Sequence, residues 1–232
     1  MSTSVKIAKC AVKGVYHDFI SLPCQDAVGS YVDGNYTCIC LCDGCGSVEN
    51  SELASKFICD NLPKYLCHNF DYFYNLEDEM IASKLIEDMK SQASEEGIKL
   101  DCTMLTVVSD GEKEIILHIG DGIIIAQDMI CEGISLPENG DEDNETYYLS
   151  GKEAFKHLRI KRASNKAYFL TSDGISYLIY SNGSVLPAVD IMLNWLRDND
   201  EKAVEKQCLS EIERLFKQRS NDDISIVMMY KI

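Results

Sequence analysis

Residues 36–47 read YTCICLCDGCGS. Thr37, Ile39 and Leu41 alternate with Cys38, Cys40 and Cys42, so both faces of an extended segment here are largely apolar. A strand of that kind is covered on two sides, with further layers above and below its sheet. The run ends in Asp43-Gly44, where the backbone can turn sharply and a carboxylate is held on a rigid support. The pattern recurs. Asp121 lies in HIGDGI, Asp173 in FLTSDGIS and Asp222 in RSNDDISIV, each beside an apolar run, and Asp26 in SLPCQDAVGSY precedes another. Asp-Gly is a very common turn dipeptide, so one instance means little. Several carboxylates drawn to strand ends from distant parts of one chain suggest a site for a hard cation such as Mg²⁺ or Mn²⁺.

Outward from this segment, strand-like runs cover Val5 to Val15 and Ala27 to Tyr31. Helical periodicity follows: Leu53, Phe57, Ile58 and Leu62 share a stripe expected to end near Pro63. A second helix is expected from an Asn75 N-cap, with Ile81, Leu85, Ile86 and Met89 buried and Gly97 near its end. Strands return at Thr103–Val108, Glu114–Ile119 and Ile123–Gln127. Ile130 to Lys166 reads as a long, partly ordered excursion over a functional edge. A buried strand at Ala167–Thr171, helices at Pro187–Arg197 and Glu201–Lys217, and a last strand at Ile224–Tyr230 complete the chain. Strands and helices are segregated, which indicates an α+β layered architecture rather than alternating βαβ units. With no repeat and no Pro- or Gly-rich linker, residues 1–232 are expected to form a single domain.

Composition narrows the function classes. The 232 residues are 46% hydrophobic, as in a globular protein with a full core. No apolar stretch approaches a membrane span, and MSTSVKIAKC lacks a signal-peptide pattern, so a soluble, cytoplasmic protein is expected. Eleven Cys in such a chain point to reduced thiols rather than a disulfide framework. A net charge of −16 argues against nucleic acid or an anionic membrane as partner. Cys42 and Cys45 have CxxC spacing, but no second pair or paired His follows at ligand spacing for zinc. No G-x-S-x-G elbow supports a serine nucleophile. Gly140 to Glu145 lacks the ligand order of a calcium loop and reads as a solvated acidic loop.

Taken in order, the Asp motifs resemble those of the type 2C metal-dependent protein phosphatases over nearly the whole chain. GVYHDFISLPCQDAVGSY and NGDEDNETYY are similar to a compact bacterial branch of that family. The resemblance implies a four-layer sandwich, two antiparallel β-sheets flanked by helix pairs. It implies two or three divalent cations, Mn²⁺ or Mg²⁺, with a bridging water that attacks phosphorus in line. It implies that Asp43 bridges the metals and Gly44 offers its carbonyl. Asp173 and Asp222 would hold one metal, Asp26 would act through its water shell, and Asp121 would belong to a weaker third position. The expected partner is a phosphorylated protein, with a cognate Ser/Thr kinase in the same pathway.

Four positions depart from the family pattern. Gln25 stands where many relatives have Glu, and Cys45 where many have the His cast as leaving-group acid. The usual N-terminal Arg that grips phosphate is absent, and His17 is the candidate substitute. Asp223 replaces the usual Asn. These departures leave two function classes open: an active Ser/Thr phosphatase, or a catalytically weak relative that binds phosphoproteins or a partner kinase. The retained Asp43, Asp173 and Asp222 favour the first, because carboxylates that repel one another without metal have no use in a pure binding module.

Overall fold

The computed structural model describes residues 4–140 and 146–232. In chain order the elements are β1 (Val5–Val12), α1 (Val15–Ile20), β2 (Asp26–Asp33), β3 (Tyr36–Asp43), α2 (Ser51–His68), α3 (Phe70–Tyr74) and α4 (Asp78–Glu95). Next come β4 (Met104–Ser109), β5 (Glu114–Ile119), β6 (Ile123–Gln127), β7 (Cys131–Ser135), α5 (Ala154–His157), β8 (Arg159–Ala163) and β9 (Ala167–Thr171). The chain ends with α6 (Asp173–Ile179), β10 (Tyr180–Ser181), β11 (Ser184–Val185), α7 (Pro187–Asp198), α8 (Glu201–Glu211), a π-helical turn (Ile212–Phe216) and β12 (Ile224–Lys231).

Two five-stranded antiparallel sheets carry the fold, in the orders β1-β12-β9-β6-β7 and β2-β3-β4-β5-β8. The alternation in β3 decides the layering. Ile39 and Leu41 pack between the sheets with Leu105, Tyr168, Leu170 and Val227. Cys38, Cys40 and Cys42 face the other way, onto Ala54, Ile58 and Leu62 of α2 and Leu85 and Met89 of α4. On the outer face of the β1-β12-β9-β6-β7 sheet, Phe169, Ile226 and Met228 pack under Val189 and Leu193 of α7 and Val204 and Cys208 of α8. Helices, sheet, sheet and helices therefore form four layers, the α+β sandwich expected. At the start of β5, Glu114 is fully buried between the sheets, paired with Lys231 Nζ at 2.6 Å and hydrogen-bonded by Tyr168 Oη.

Several boundaries differ from the sequence expectation. The first long helix does not stop at Pro63 but continues to His68. Proline at that position leaves the Cys59 carbonyl, four residues earlier, without its helical donor. That oxygen instead abuts β2, where a Cβ on Gly29 would lie 2.0 Å from it. Close helix–sheet packing thus tolerates the proline. Asn75 does not start the second helix: it follows α3, donating from Nδ2 to Asp71 O at 2.7 Å, and Glu77 occupies the N-cap of α4. The Ile130–Lys166 excursion contains β7 and β8, the edge strands of the two sheets. Their sequences, CEGIS and RIKRA, are short and half-exposed, so no apolar alternation marks them. Most of the acidic run, residues 141–145, lies outside the described residues. The last helix becomes π-helical after Glu211, with Lys217 N bonded to Ile212 O at 2.8 Å.

Candidate metal centre

The strand ends bring the predicted carboxylates together. Asp43 is the last residue of β3 and Asp26 the first of β2, and the two are register partners. Thr103 fixes Asp43 from both sides: Asp43 N donates to Thr103 Oγ1 at 3.0 Å, and Thr103 N donates to Asp43 O at 2.8 Å. Gly44 follows, its N–H donating to Gln25 O at 3.1 Å, and a Cβ there would meet Ser51 O at 2.8 Å. Only glycine lets the chain pass that close to the first residue of α2. Asp121 sits in the turn between β5 and β6, made possible by Gly120 at φ +111°. Asp173 opens α6 directly after β9, and Asp222 lies just before β12.

Carboxylate oxygens of Asp43, Asp121 and Asp173 lie within 4.8 Å of one another. With Asp222, Gly44 and Gln25 these residues line a cleft of about 450 Å³ whose far wall holds Asn139, Thr146 and Tyr148. Asp26 is buried beneath it, with Oδ2 accepting from Ser172 Oγ at 2.8 Å. Oδ1 of Asp26, of Asp121 and of Asp173 are buried with no hydrogen-bond partner. A buried polar atom left unpaired costs roughly 1–3 kcal/mol, more if charged. Convergent, unpartnered hard oxygen donors fit divalent cations of the Mg²⁺ or Mn²⁺ kind.

Electrostatics agree. Burial, then repulsion from Asp121 and Asp222, pushes Asp173 up to about 7. Burial, with repulsion from Asp223, pushes Asp26 up to about 8, against the hydrogen bond from Ser172. Asp43 is raised well above the carboxylate range by burial and then by Asp26, Asp173, Asp121 and Asp222. Asp121 moves in the same direction, mainly through burial. Without a cation, burial and mutual repulsion disfavour the charged forms of Asp26, Asp43, Asp121 and Asp173.

A second cleft, of about 660 Å³, adjoins the first and shares Gly46, Asp173 and Asp222 with it. His17 lines this second cleft, and its Nδ1 lies 3.0 Å from Asp223 Oδ1. Asp223 is a buried clamp: Oδ1 accepts from Gly14 N at 2.7 Å and Oδ2 from Gln25 N at 2.6 Å. It thereby ties the α1 region and the entry of β2 to the entry of β12. Cys45, at the position of the usual His, is buried, contacts Ser47 Oγ at 3.3 Å and lines neither cleft. Gln25 donates from Nε2 to Ser51 Oγ at 2.7 Å, while its Oε1 is left without a partner.

Sequence reasoning did not single out Thr146, Tyr148, Tyr16, Tyr177 or Arg219, which all line the clefts. They come from loops and short helices without periodicity, and only the motif stretches around Tyr16, Thr146 to Tyr148 and Arg219 carried a signal, none of it residue by residue. Nor did it find that Cys40 Sγ lies 3.9 Å from both Cys42 Sγ and Cys59 Sγ, in the apolar layer under α2. All eleven cysteines are free, as expected.

Comparison with known proteins agrees with this geometry. The chain is 21% identical over 192 residues to Serine/threonine-protein phosphatase 3 of Escherichia coli (strain K12), covering 75% of each chain. Serine/threonine phosphatase Stp1 from Staphylococcus aureus has the same fold, with a TM-score of 0.67 at 16% identity over 99% of this chain and 96% of that one. RsbX in complex with magnesium is similar too, with a TM-score of 0.61 at 14% identity over 98% and 96%. The family described as Protein phosphatase 2C matches residues 13–211. Most of the chain falls within that match, including every carboxylate of the site except Asp222, and the chain belongs to the protein phosphatase 2C family.

Proposed function

We propose that this protein is a metal-dependent Ser/Thr phosphoprotein phosphatase, acting as one domain over residues 1–232 in the cytoplasm. The observation that carries the reading is the group of carboxylate oxygens within 4.8 Å, three of the surrounding oxygens being buried without a donor. Asp43, the Gly44 carbonyl, Asp173, Asp222 and Asp121 would hold two or three Mn²⁺ or Mg²⁺, with Asp26 acting through water. Bound there, such cations supply positive charge for the phosphoryl oxygens and make water acidic enough to serve as nucleophile near neutral pH.

The chain's own residues do the rest. Strand ends fix the carboxylates so that no reorganisation is needed when charge develops. Gln25 presents Oε1 from beside the centre, where it can accept a hydrogen bond from water. His17 lies at the second cleft with its Nδ1 3.0 Å from Asp223 Oδ1, beside Asp173 and Asp222. The His17 side chain is thereby positioned to meet a phosphate bound across the two clefts. The partner is a phosphorylated protein, and a cognate kinase would supply it.

The test is hydrolysis of a chromogenic phosphomonoester with Mn²⁺ and with chelator. Activity should require metal, and Asp43→Asn should lower turnover by roughly 100- to 1000-fold, because an amide is a poorer ligand and leaves cation charge uncompensated. Full activity in Asp43→Asn, or in chelator, would remove this mechanism.

A further inference from the structure

The second cleft is the larger of the two and opens directly onto Asp173 and Asp222, yet its other lining residues are not among the cation ligands proposed above. We propose that it is the subsite for the substrate's polypeptide beside the phosphorylated residue, with Arg219 as the group that recognises a substrate oxyanion. That oxyanion is the phosphoryl group itself or a carboxylate next to it. The proposal rests on the phosphatase reading above and adds to it the residue and cleft that recognise the substrate's anionic group.

Charge makes a cation necessary at this place. The protein carries a net −16, and four Asp side chains line the carboxylate cleft. An anionic substrate approaches against that field. Among the described residues lining the two clefts, Arg219 is the one Lys or Arg. Neighbouring cations are already committed: Lys13 and Lys217 both pair with Asp18, and Arg159 pairs with Glu138 and donates to the Gly120 carbonyl. Arg219 forms no ion pair with any carboxylate of the described residues, although Asp173 and Asp222 share its cleft. An exposed guanidinium with its donors open matches the planar geometry of a carboxylate or phosphate.

Arg219 is also held in place where it counts. Its N–H donates to Phe216 O at 2.8 Å, and its carbonyl accepts from Tyr177 Oη at 2.5 Å. Both main-chain groups are fixed while the side chain stays exposed, so part of the ordering cost of binding is met in advance. Tyr177 and Tyr16, each about half exposed, line the same cleft, and Phe19 on the Tyr16 helix is 85% exposed. Aromatic walls beside a single cation suit a peptide side chain and its flanking charge. A phosphate ester with no chain attached would leave them bare.

The experiment compares wild type with Arg219→Ala and Arg219→Lys, Mn²⁺-loaded, on a phosphoserine peptide carrying Glu beside the phosphoserine, the same peptide with Ala there, and p-nitrophenyl phosphate. Arg219→Ala should raise KM for the Glu peptide roughly 10- to 100-fold, the range of a lost charge-assisted hydrogen bond, with kcat largely kept. Arg219→Lys should recover part of the loss. An equal KM rise on all three substrates assigns the phosphoryl group; a rise confined to the Glu peptide assigns the flanking carboxylate. An unchanged KM for the Glu peptide, in a variant whose melting point matches wild type, overturns the proposal. A wild type that hydrolyses none of the three overturns the phosphatase reading instead. Calorimetric binding of the Glu peptide then still decides this cleft: equal Kd for wild type and Arg219→Ala overturns it, and weaker binding by Arg219→Ala supports it.

Discussion

Asp173→Asn in metal-free protein should stabilise the fold at pH 8 while removing most of the stabilisation by metal. In the folded protein burial and the neighbouring Asp121 and Asp222 raise Asp173 from 3.8 to about 7. The folded state therefore holds a proton that the unfolded chain releases once the pH passes 3.8. Stability from this group is complete below about pH 4 and is lost as pH rises toward about 7. Roughly three pH units at about 1.4 kcal/mol each give about 4 kcal/mol as a ceiling. Asp173 is half-buried and lines the cleft, so water reaches it. About half the ceiling, ~2 kcal/mol, is the working figure once that solvent contact is counted. Removing the negative charge at the first residue of α6 costs ~0.3–1 kcal/mol in the other direction. For a chain of this size each kcal/mol is worth about 2–4 °C, so the net rise should be about 2–7 °C at pH 8 and near zero at pH 4. In wild type, Mn²⁺ at a hundredfold excess over its Kd adds roughly 2.7 kcal/mol, about 5–11 °C. The assay is a set of thermal melts, wild type and variant, at pH 4, 6 and 8, in chelator and in millimolar Mn²⁺. A wild-type melt indifferent to Mn²⁺, or a variant with the same pH slope as wild type in chelator, would refute the reasoning.

Three further outcomes are expected. Cys45→Ser should retain most of its Mn²⁺-dependent turnover, since Cys45 lines neither cleft; a trapped phosphocysteine would point to a different chemistry. Asp223→Ala leaves Gly14 N and Gln25 N buried without an acceptor and should cost roughly 2–5 kcal/mol in urea unfolding, with Asp223→Asn milder because it keeps one acceptor oxygen. Glu114→Ala strands the Lys231 ammonium at the end of β12 and should cost roughly 3–5 kcal/mol; a urea midpoint equal to wild type would show that the buried pair does not hold the sheets together.

Sequence by itself determined the layers and the ligand types. The alternation of Ile39 and Leu41 with Cys38 and Cys40 required cover on both faces of β3, and the structure supplies a sheet on one side and α2 with α4 on the other. Local chemistry also placed Asp43, Asp121, Asp173 and Asp222 at strand ends, because Gly and short polar residues mark where a strand must turn. Boundaries yielded to packing: Pro63 stays inside α2 because the carbonyl it orphans lies against Gly29, a residue thirty-four positions earlier in the chain. Edge strands β7 and β8 carry no apolar alternation, and only pairing with their neighbours makes them strands. Above all, distances belong to the tertiary structure. That Cys45 lines neither cleft, that Asp223 clamps Gly14 and Gln25, and that Arg219 lines the cleft beside Asp173 depend on contacts between segments far apart in sequence. Periodicity reports which face of an element is buried; it holds no record of which other element will cover it.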